Sequence, residues 1–328
     1  MMLRVFTKPL LVLAIFVCRQ TLFAGDISFY GIFKEQDFLQ TNNTAPVSDT
    51  SRPYVFQCVV DSSAPNLISS ASVQLPGGGS RTLQPDGDHG FAFREIFSSA
   101  GALNASYGVG SYTLMVDSEN DGFNFAQLSV PADAYPNTPQ MTNFTAAQAI
   151  NPSNAFTLAW QPFSGGTAND FIELKIRDSS SNTTVFRSGD FGTPGALNGT
   201  NLSIVLPANT LSPGEIYFAG LLFSKLTAVN NTSIPGATGL VAFLKRTTVH
   251  LQTAGSAPAI HLNVIGFSSG NFQFSFNTQP GKNYQIQFAD ALPNWQNLQF
   301  TNAASSEIIF TDTFASFNPA RFYRVTAP

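Results

Sequence analysis

The chain has 328 residues, 16 of them basic and 20 acidic, for a formal net charge of −4. Hydrophobic residues make up 43% and charged residues only 11%, with 31 phenylalanines, which excludes a disordered chain, since those are charge-rich and aromatic-poor. The basic residues are neither in excess nor clustered, which argues against a nucleic-acid binder.

The first 24 residues read as an address. Arg4 and Lys8 precede the apolar run Pro9–Val17, and Thr21-Leu-Phe-Ala24 offers a small residue for cleavage, the layout of a secretory signal peptide. The run is shorter than the ~20 apolar residues that span a bilayer, and no later stretch qualifies as a membrane helix. Cys18 does not fit a lipoprotein site, because Val17 stands where a small residue is wanted. Removing residues 1–24 leaves 13 basic against 20 acidic residues and a single cysteine, Cys58. Exported chains use paired cysteines as staples; here apolar cores must hold the fold alone. In Tyr54-Val-Phe-Gln-Cys-Val-Val60, Cys58 shares parity with Tyr54, Phe56 and Val60, which predicts a buried strand cysteine.

From there on, period-two patterns dominate and no segment keeps a helical apolar period. Phe171–Arg177 puts Ile172, Leu174 and Ile176 on one face and Glu173, Lys175 and Arg177 on the other. Leu202, Ile204 and Leu206 alternate, as do Phe272, Phe274 and Phe276, and Tyr284, Ile286 and Phe288. Gly- and Pro-rich turns separate these runs, which predicts half-buried strands in sandwiches or barrels. The proline-rich stretch Pro131–Pro139 and the small polar stretch Thr253–Pro258 read as linkers and divide the chain into modules 25–136, 137–255 and 256–328. Each module holds a tight turn, a tyrosine and an alternating strand: Gly108-Val-Gly-Ser-Tyr112, Pro213-Gly-Glu-Ile-Tyr217 and Pro280-Gly-Lys-Asn-Tyr284. Such a tyrosine buries its ring while its hydroxyl bonds nearby backbone.

The middle module resembles a fibronectin type III domain. Phe156-Thr-Leu-Ala-Trp160 is similar to that family's second strand with its core tryptophan, and Leu211-Ser-Pro-Gly-Glu-Ile-Tyr217 to its tyrosine-corner segment. The long segment Lys225–Gly236 departs from the family pattern. The first module resembles a generic immunoglobulin-like sandwich. The third is similar to a short terminal module of large secreted bacterial proteins, with Trp295 after its Pro-Gly-x-x-Tyr strand and Arg321–Arg324 at its close. The resemblance implies binding or spacing rather than catalysis, and fold analogy alone names no ligand.

Catalytic signatures are sparse. The three histidines, His89, His250 and His261, are scattered, and His89 lies in a Gly-rich turn beside two acids. No Gly-x-Ser-x-Gly elbow, zinc-ligand spacing or phosphate-binding glycine loop occurs. Carboxylate-pair hydrolysis needs only two well-placed acids. Asp117, Glu119 and Asp121, followed by Gly122, resemble the start of a calcium loop, although the twelfth position is Leu128 rather than Glu. The competing reading is a solvated hairpin turn in which Asn120-Asp-Gly122 supplies left-handed positions. Charge is uneven: the first module carries 12 acids and 4 bases, a surface that can hold cations or simply confer solubility. Tyr135, Phe191, Trp295 and Tyr323 fall outside clean alternation and are the candidates for stacking on sugar rings.

The sequence thus predicts an all-β protein of tandem sandwich modules, exported to the cell surface or beyond. Its expected role is structural, adhesive or protein-binding, without catalysis, and without a cofactor unless calcium binds at Asp117–Asp121. A polysaccharide-binding accessory protein is the alternative, with a carboxylate hydrolase behind it. The partner is an unidentified protein or glycan outside the cell.

Overall fold

The computed structural model describes residues 25–87, 89–256, 259–268, 270–315 and 320–327. The signal-like segment 1–24 lies outside them. Among the described residues no helix is long and apolar enough to cross a membrane.

The first stretch forms β1 (Ile27–Gln40), β2 (Val47–Ser48), β3 (Tyr54–Ser62), β4 (Ile68–Gln74), β5 (Ser80–Thr82), β6 (Gln84–Pro85) and β7 (Gly90–Phe97). A short helix α1 (Ala100–Ser106) follows, then β8 (Gly110–Ser118) and β9 (Gly122–Val130). The next stretch contributes β10 (Phe156–Ala159), β11 (Phe171–Asp178), β12 (Thr184–Arg187), β13 (Leu197–Asn198), β14 (Ser203–Leu206), β15 (Ile216–Asn230) and β16 (Thr238–Gln252). The last stretch holds β17 (Leu262–Ser268), β18 (Asn271–Asn277), β19 (Asn283–Ala289), β20 (Gln296–Asn302), β21 (Glu307–Asp312) and β22 (Phe322–Thr326).

One sheet runs through the first two stretches in the order β12-β11-β15-β16-β1-β3-β7-β6. Its centre is the hairpin β15–β16, whose strands have 15 residues each, about 50 Å at 3.3 Å per residue. The first half of β15 pairs with β11. β16 pairs with β1 in parallel, from Phe29↔Thr238 to Gln40↔Val249. The segment Lys225–Gly236, which departs from the fibronectin pattern, is strand as far as Asn230 and turn from there on. A bulge between Leu226 and Ala228 shifts its register and turns the far half of the hairpin toward the first stretch.

Opposite parts of this sheet are covered on one face. The sheet β5-β4-β8-β9 closes a core that contains Tyr30, Phe56, Tyr107 and Tyr112 together with Val241 and Phe243. The pair β10–β14 closes a second core around Trp160, Ile172, Leu174, Ile176 and Tyr217. The sheets β17-β18-β21 and β20-β19-β22 enclose a third core around Phe274, Phe276, Tyr284 and Ile286. Between residues 136 and 137 the partner sheet changes while the main sheet continues, because β16 from the middle stretch supplies Val241 and Phe243 to the first core. The proline-rich stretch is packed down: Tyr135 meets the Phe243 ring edge-on at 5.1 Å, and Pro139 O accepts from Thr247 Oγ1 at 2.6 Å.

The tyrosines of the three turn motifs act as their spacing predicts. The hydroxyl oxygens of Tyr217 and Tyr284 accept from the backbone N–H of Ser212 and Gln279, each at 2.8 Å. The Tyr112 hydroxyl donates to Gly108 O at 2.8 Å. All three rings are buried. Cys58 is a buried free thiol in β3, and burial pushes its pKa up. Leu202 differs from its expected inward position: it is 52% exposed. The chain enters its strand only at Ser203, and Leu202 O is fixed by the backbone N–H of Trp160 at 3.0 Å.

Candidate functional site

Alternation that sends one set of side chains into the cores sends the other set to the outer face of the shared sheet. Strand register then lines these up across the strands. Phe171, Ser224, Leu244 and Glu35 form one row, and Glu173, Leu222, Arg246 and Asp37 the next. Lys175, Gly220 and Thr248 form a third. Leu222, Ala242 and Leu244 make a small apolar cluster with Phe33 and Leu226, separate from the three cores. A groove of about 960 Å³ runs over this cluster. Phe171 and Phe191, T-shaped at 5.8 Å, stand where the groove meets a second cavity of about 620 Å³. Glu173, Arg187, Leu222 and Arg246 lead from the groove into a third cavity of about 340 Å³. The three spaces form one trough along the open face.

Ion pairs border the apolar strip. Arg187 bridges Glu173 at 2.6 Å and Asp190 at 2.8 Å. Arg246 Nη2 lies 2.8 Å from Glu35 Oε1, and Gln57 Nε2 donates to Glu35 Oε2. Arg52 reaches Glu35 at 3.3 Å and Asp37 Oδ2 at 3.1 Å. Glu35 is wholly buried and Asp37 nearly so. Burial, and then the Glu35 carboxylate beside it, push the Asp37 pKa up to about 7, against the pull of Arg246 and Arg52. Two carboxylates at alternate positions of one buried strand face cannot both ionise cheaply.

The third cavity is the most cationic. Five basic side chains and three carboxylates line it, and Gly220 leaves its floor bare. Lys175 and Arg187 stand directly opposite each other across β11 and β12. The side chains of Lys175 and Arg177 are exposed and, among the described residues, take part in no ion pair or hydrogen bond.

The residues singled out by sequence are placed as follows. Asp117 and Glu119 are exposed, and Asp121 Oδ2 accepts from the backbone N–H of Asp26 at 2.6 Å. Asp26 closes the same turn: its carboxylate accepts from Asn120 N at 2.6 Å, Asn120 Nδ2 at 2.8 Å and Asp121 N at 3.1 Å. These bonds, Asn120 first, hold the Asp26 pKa down against its desolvation. Among the described residues no group of three or more His, Cys, Asp or Glu is placed to hold a metal, so the structure does not bring the three carboxylates together. His89 is an exposed turn residue whose carbonyl accepts from Ser62 N and Oγ. Of the aromatic candidates, only Phe191 reaches the trough. Tyr135 packs on Phe243, Trp295 is covered by the Arg324 guanidinium at 4.4 Å, and Tyr323 stacks on Phe272 while donating to Asp312 Oδ2 at 2.8 Å. Sequence reasoning missed Glu35, Asp37, Arg52 and Arg246. The signals for the site were the charged side of Phe171–Arg177 and Phe191.

No protein-family profile and no curated protein matches the sequence. Solved structures similar to it are fibronectin type III, immunoglobulin-like and adhesin-repeat domains. One is a tetra-tandem repeat from the extending region of a large adhesion protein, 13% identical over 91% of this chain and 74% of that one, TM-score 0.28. A second comes from a 1.5-MDa bacterial ice-binding adhesin, 11% identical over 91% of each chain, TM-score 0.22. A third is a two-domain fibronectin type III segment of chicken tenascin, 12% identical over 60% of this chain and 92% of that one, TM-score 0.23. At these TM-scores none carries an argument about function. The strand pairings and their enclosed cores by themselves define an all-β protein of sandwich type.

Proposed function

We propose that this is an exported, non-enzymatic β protein that works outside the cell or at its surface by structure and contact, with the trough as its contact face. The observation that carries the reading is the trough itself: an apolar strip bordered by fixed ion pairs on the side of the shared sheet opposite both cores. Apolar ground with a charged rim is how contact surfaces divide affinity from specificity. Export is supported by the layout of residues 1–24. A hydrolase reading turns on Glu35 and Asp37, neighbouring carboxylates on one strand face of which Asp37 has the raised pKa. A general acid must reach the bond it protonates, and these carboxylates lie buried beneath Gln57, Arg52 and Arg246.

Fractionation of a culture of the native host tests export. The expected result is mature protein in the medium or the envelope; retention in the cytoplasm with residues 1–24 intact overturns it. Leu244→Arg, which places a charge in the apolar strip, is expected to abolish capture of surface material by the purified protein while its circular dichroism is unchanged.

A further inference from the structure

We infer that the cationic end of the trough, around Lys175, Arg177 and Arg187, binds the acid groups of an anionic polysaccharide. The inference rests on the trough being a contact face and names the class of partner it takes.

Three observations carry it. First, the charges are arranged against their own repulsion. Lys175 and Arg187 are cross-strand neighbours, a position in which like charges destabilise a sheet; Glu173 and Asp190 answer Arg187 and leave the Lys175 charge unanswered. Arg177 follows on the same face, and neither Lys175 nor Arg177 has a protein partner among the described residues. An anion seated between them relieves this. Second, the floor is kept empty. A Cβ on Gly220 meets Arg246 Cδ only at 3.7 Å and Lys175 O at 3.8 Å, ordinary contact distances, and the backbone there is not in the left-handed region. A central strand would therefore accept a side chain, and a β-branched one would suit it. Its absence leaves a flat patch beside the Phe218 ring, where a sugar ring can lie. Third, the cavity opens into the trough through Glu173, Arg187, Leu222 and Arg246, so the site suits a chain that continues along the sheet rather than an isolated small acid.

The mixture of signs separates a sugar acid from an acidic peptide. Asp37, Asp49 and Glu173 share the cavity with the bases. A run of acidic side chains brings repeated charge against those carboxylates. A uronate ring brings one charge and several hydroxyl donors, which Asp49, Glu173 and the Thr248 hydroxyl can accept.

The test is calorimetric titration of the mature full chain, at low salt, with a short oligogalacturonate. A neutral oligosaccharide of equal length and an oligoglutamate run alongside. The expected result is saturable binding of the uronate, at least about tenfold tighter than either control, and weakening as salt screens the charges. Lys175→Ala with Arg177→Ala is expected to lower the affinity at least about tenfold at unchanged Tm. Gly220→Val keeps every charge and is expected to lose binding as well, through loss of the floor. Equal or tighter binding of oligoglutamate overturns the assignment in favour of an acidic peptide. Absence of uronate binding, or binding that Gly220→Val leaves intact, overturns the site. If uronate binding fails while Leu244→Arg still abolishes capture of surface material, the partner class is wrong and the contact face stands.

Discussion

Lys282 Nζ lies 2.5 Å from Asp178 Oδ2, and both side chains are buried. The lysine belongs to the Pro280–Tyr284 turn of the last stretch and the aspartate to the end of β11. Lys282 also reaches Glu215 Oε2 at 3.0 Å and Ser180 Oγ at 3.2 Å, so one ammonium joins the third sandwich to the second. Lys282→Met strands Asp178 without its cation. A cost of about 3–5 kcal/mol is typical for breaking a buried pair, and here it falls on the seam, so limited proteolysis is expected to cut within 253–261 sooner than in the parent.

The same pair sets an acid limit. Its bonds to Lys282, Ser180 and Ser181 outweigh burial and hold the Asp178 pKa down at about 2. A depressed carboxyl contributes stability that is full above its unfolded value, near 4, and is lost as the pH falls through about 2. The parent chain is expected to lose about 2 kcal/mol more than Asp178→Asn between pH 5 and pH 2 in denaturant titrations.

Asp37 has the opposite sign. Its pKa of about 7 means that the folded state holds a proton the unfolded state releases near pH 4. The stability it contributes is complete below that value and is lost as the pH rises through about 7. Asp37→Asn keeps the neutral form at all pH values. Its advantage over the parent is expected to grow by about 2–4 kcal/mol between pH 4 and pH 8, and a flat difference refutes the raised pKa.

Tyr30 and Gly239 are register partners across the parallel pair. A Cβ on Gly239 falls 2.3–2.6 Å from the Tyr30 ring and hydroxyl, so the ring lies directly over the glycine. Gly239→Ala is expected to cost about 1–3 kcal/mol through overpacking. In a Tyr30→Ala background the same substitution is expected to cost little, and a double-mutant cycle reads the coupling.

The tyrosine corners separate by hydrogen-bond direction. Tyr217→Phe leaves the Ser212 N–H without its acceptor, a loss of about 1–3 kcal/mol. Tyr112→Phe leaves only a carbonyl, that of Gly108, and an under-satisfied carbonyl is better tolerated. Thermal melts are expected to rank Tyr217→Phe as the more damaging.

These features were not equally legible. The corners, the buried Cys58 and the inward faces of β11 and β18 followed from local parity and turn chemistry, which need only neighbouring residues. The shared sheet did not. Parity tells which side of β1 faces a core, but not that its neighbour is β16, some two hundred residues away. A hint lay in Gly239-Leu-Val-Ala-Phe-Leu244, an unbroken apolar run of the kind buried on both faces. The candidate site was hidden for the same reason. Glu173, Lys175 and Arg177 read as a solvated edge until the long hairpin brought Arg246, and the parallel pairing Glu35 and Asp37, onto the same face. Asp26 gave no signal as a turn cap, because its partners, Asn120 and Asp121, are far along the chain.

The parallel pairing of β1 with β16 also decides how the molecule bears mechanical load. Tension applied ahead of Ile27 and beyond Gln252 pulls the two strands in opposite directions along their common axis. The bonds spanning Phe29–Gln40 and Thr238–Val249 are then sheared together instead of being peeled apart in turn. A chain tethered at one end and gripped at the other resists extension at its middle, where its longest strands lie.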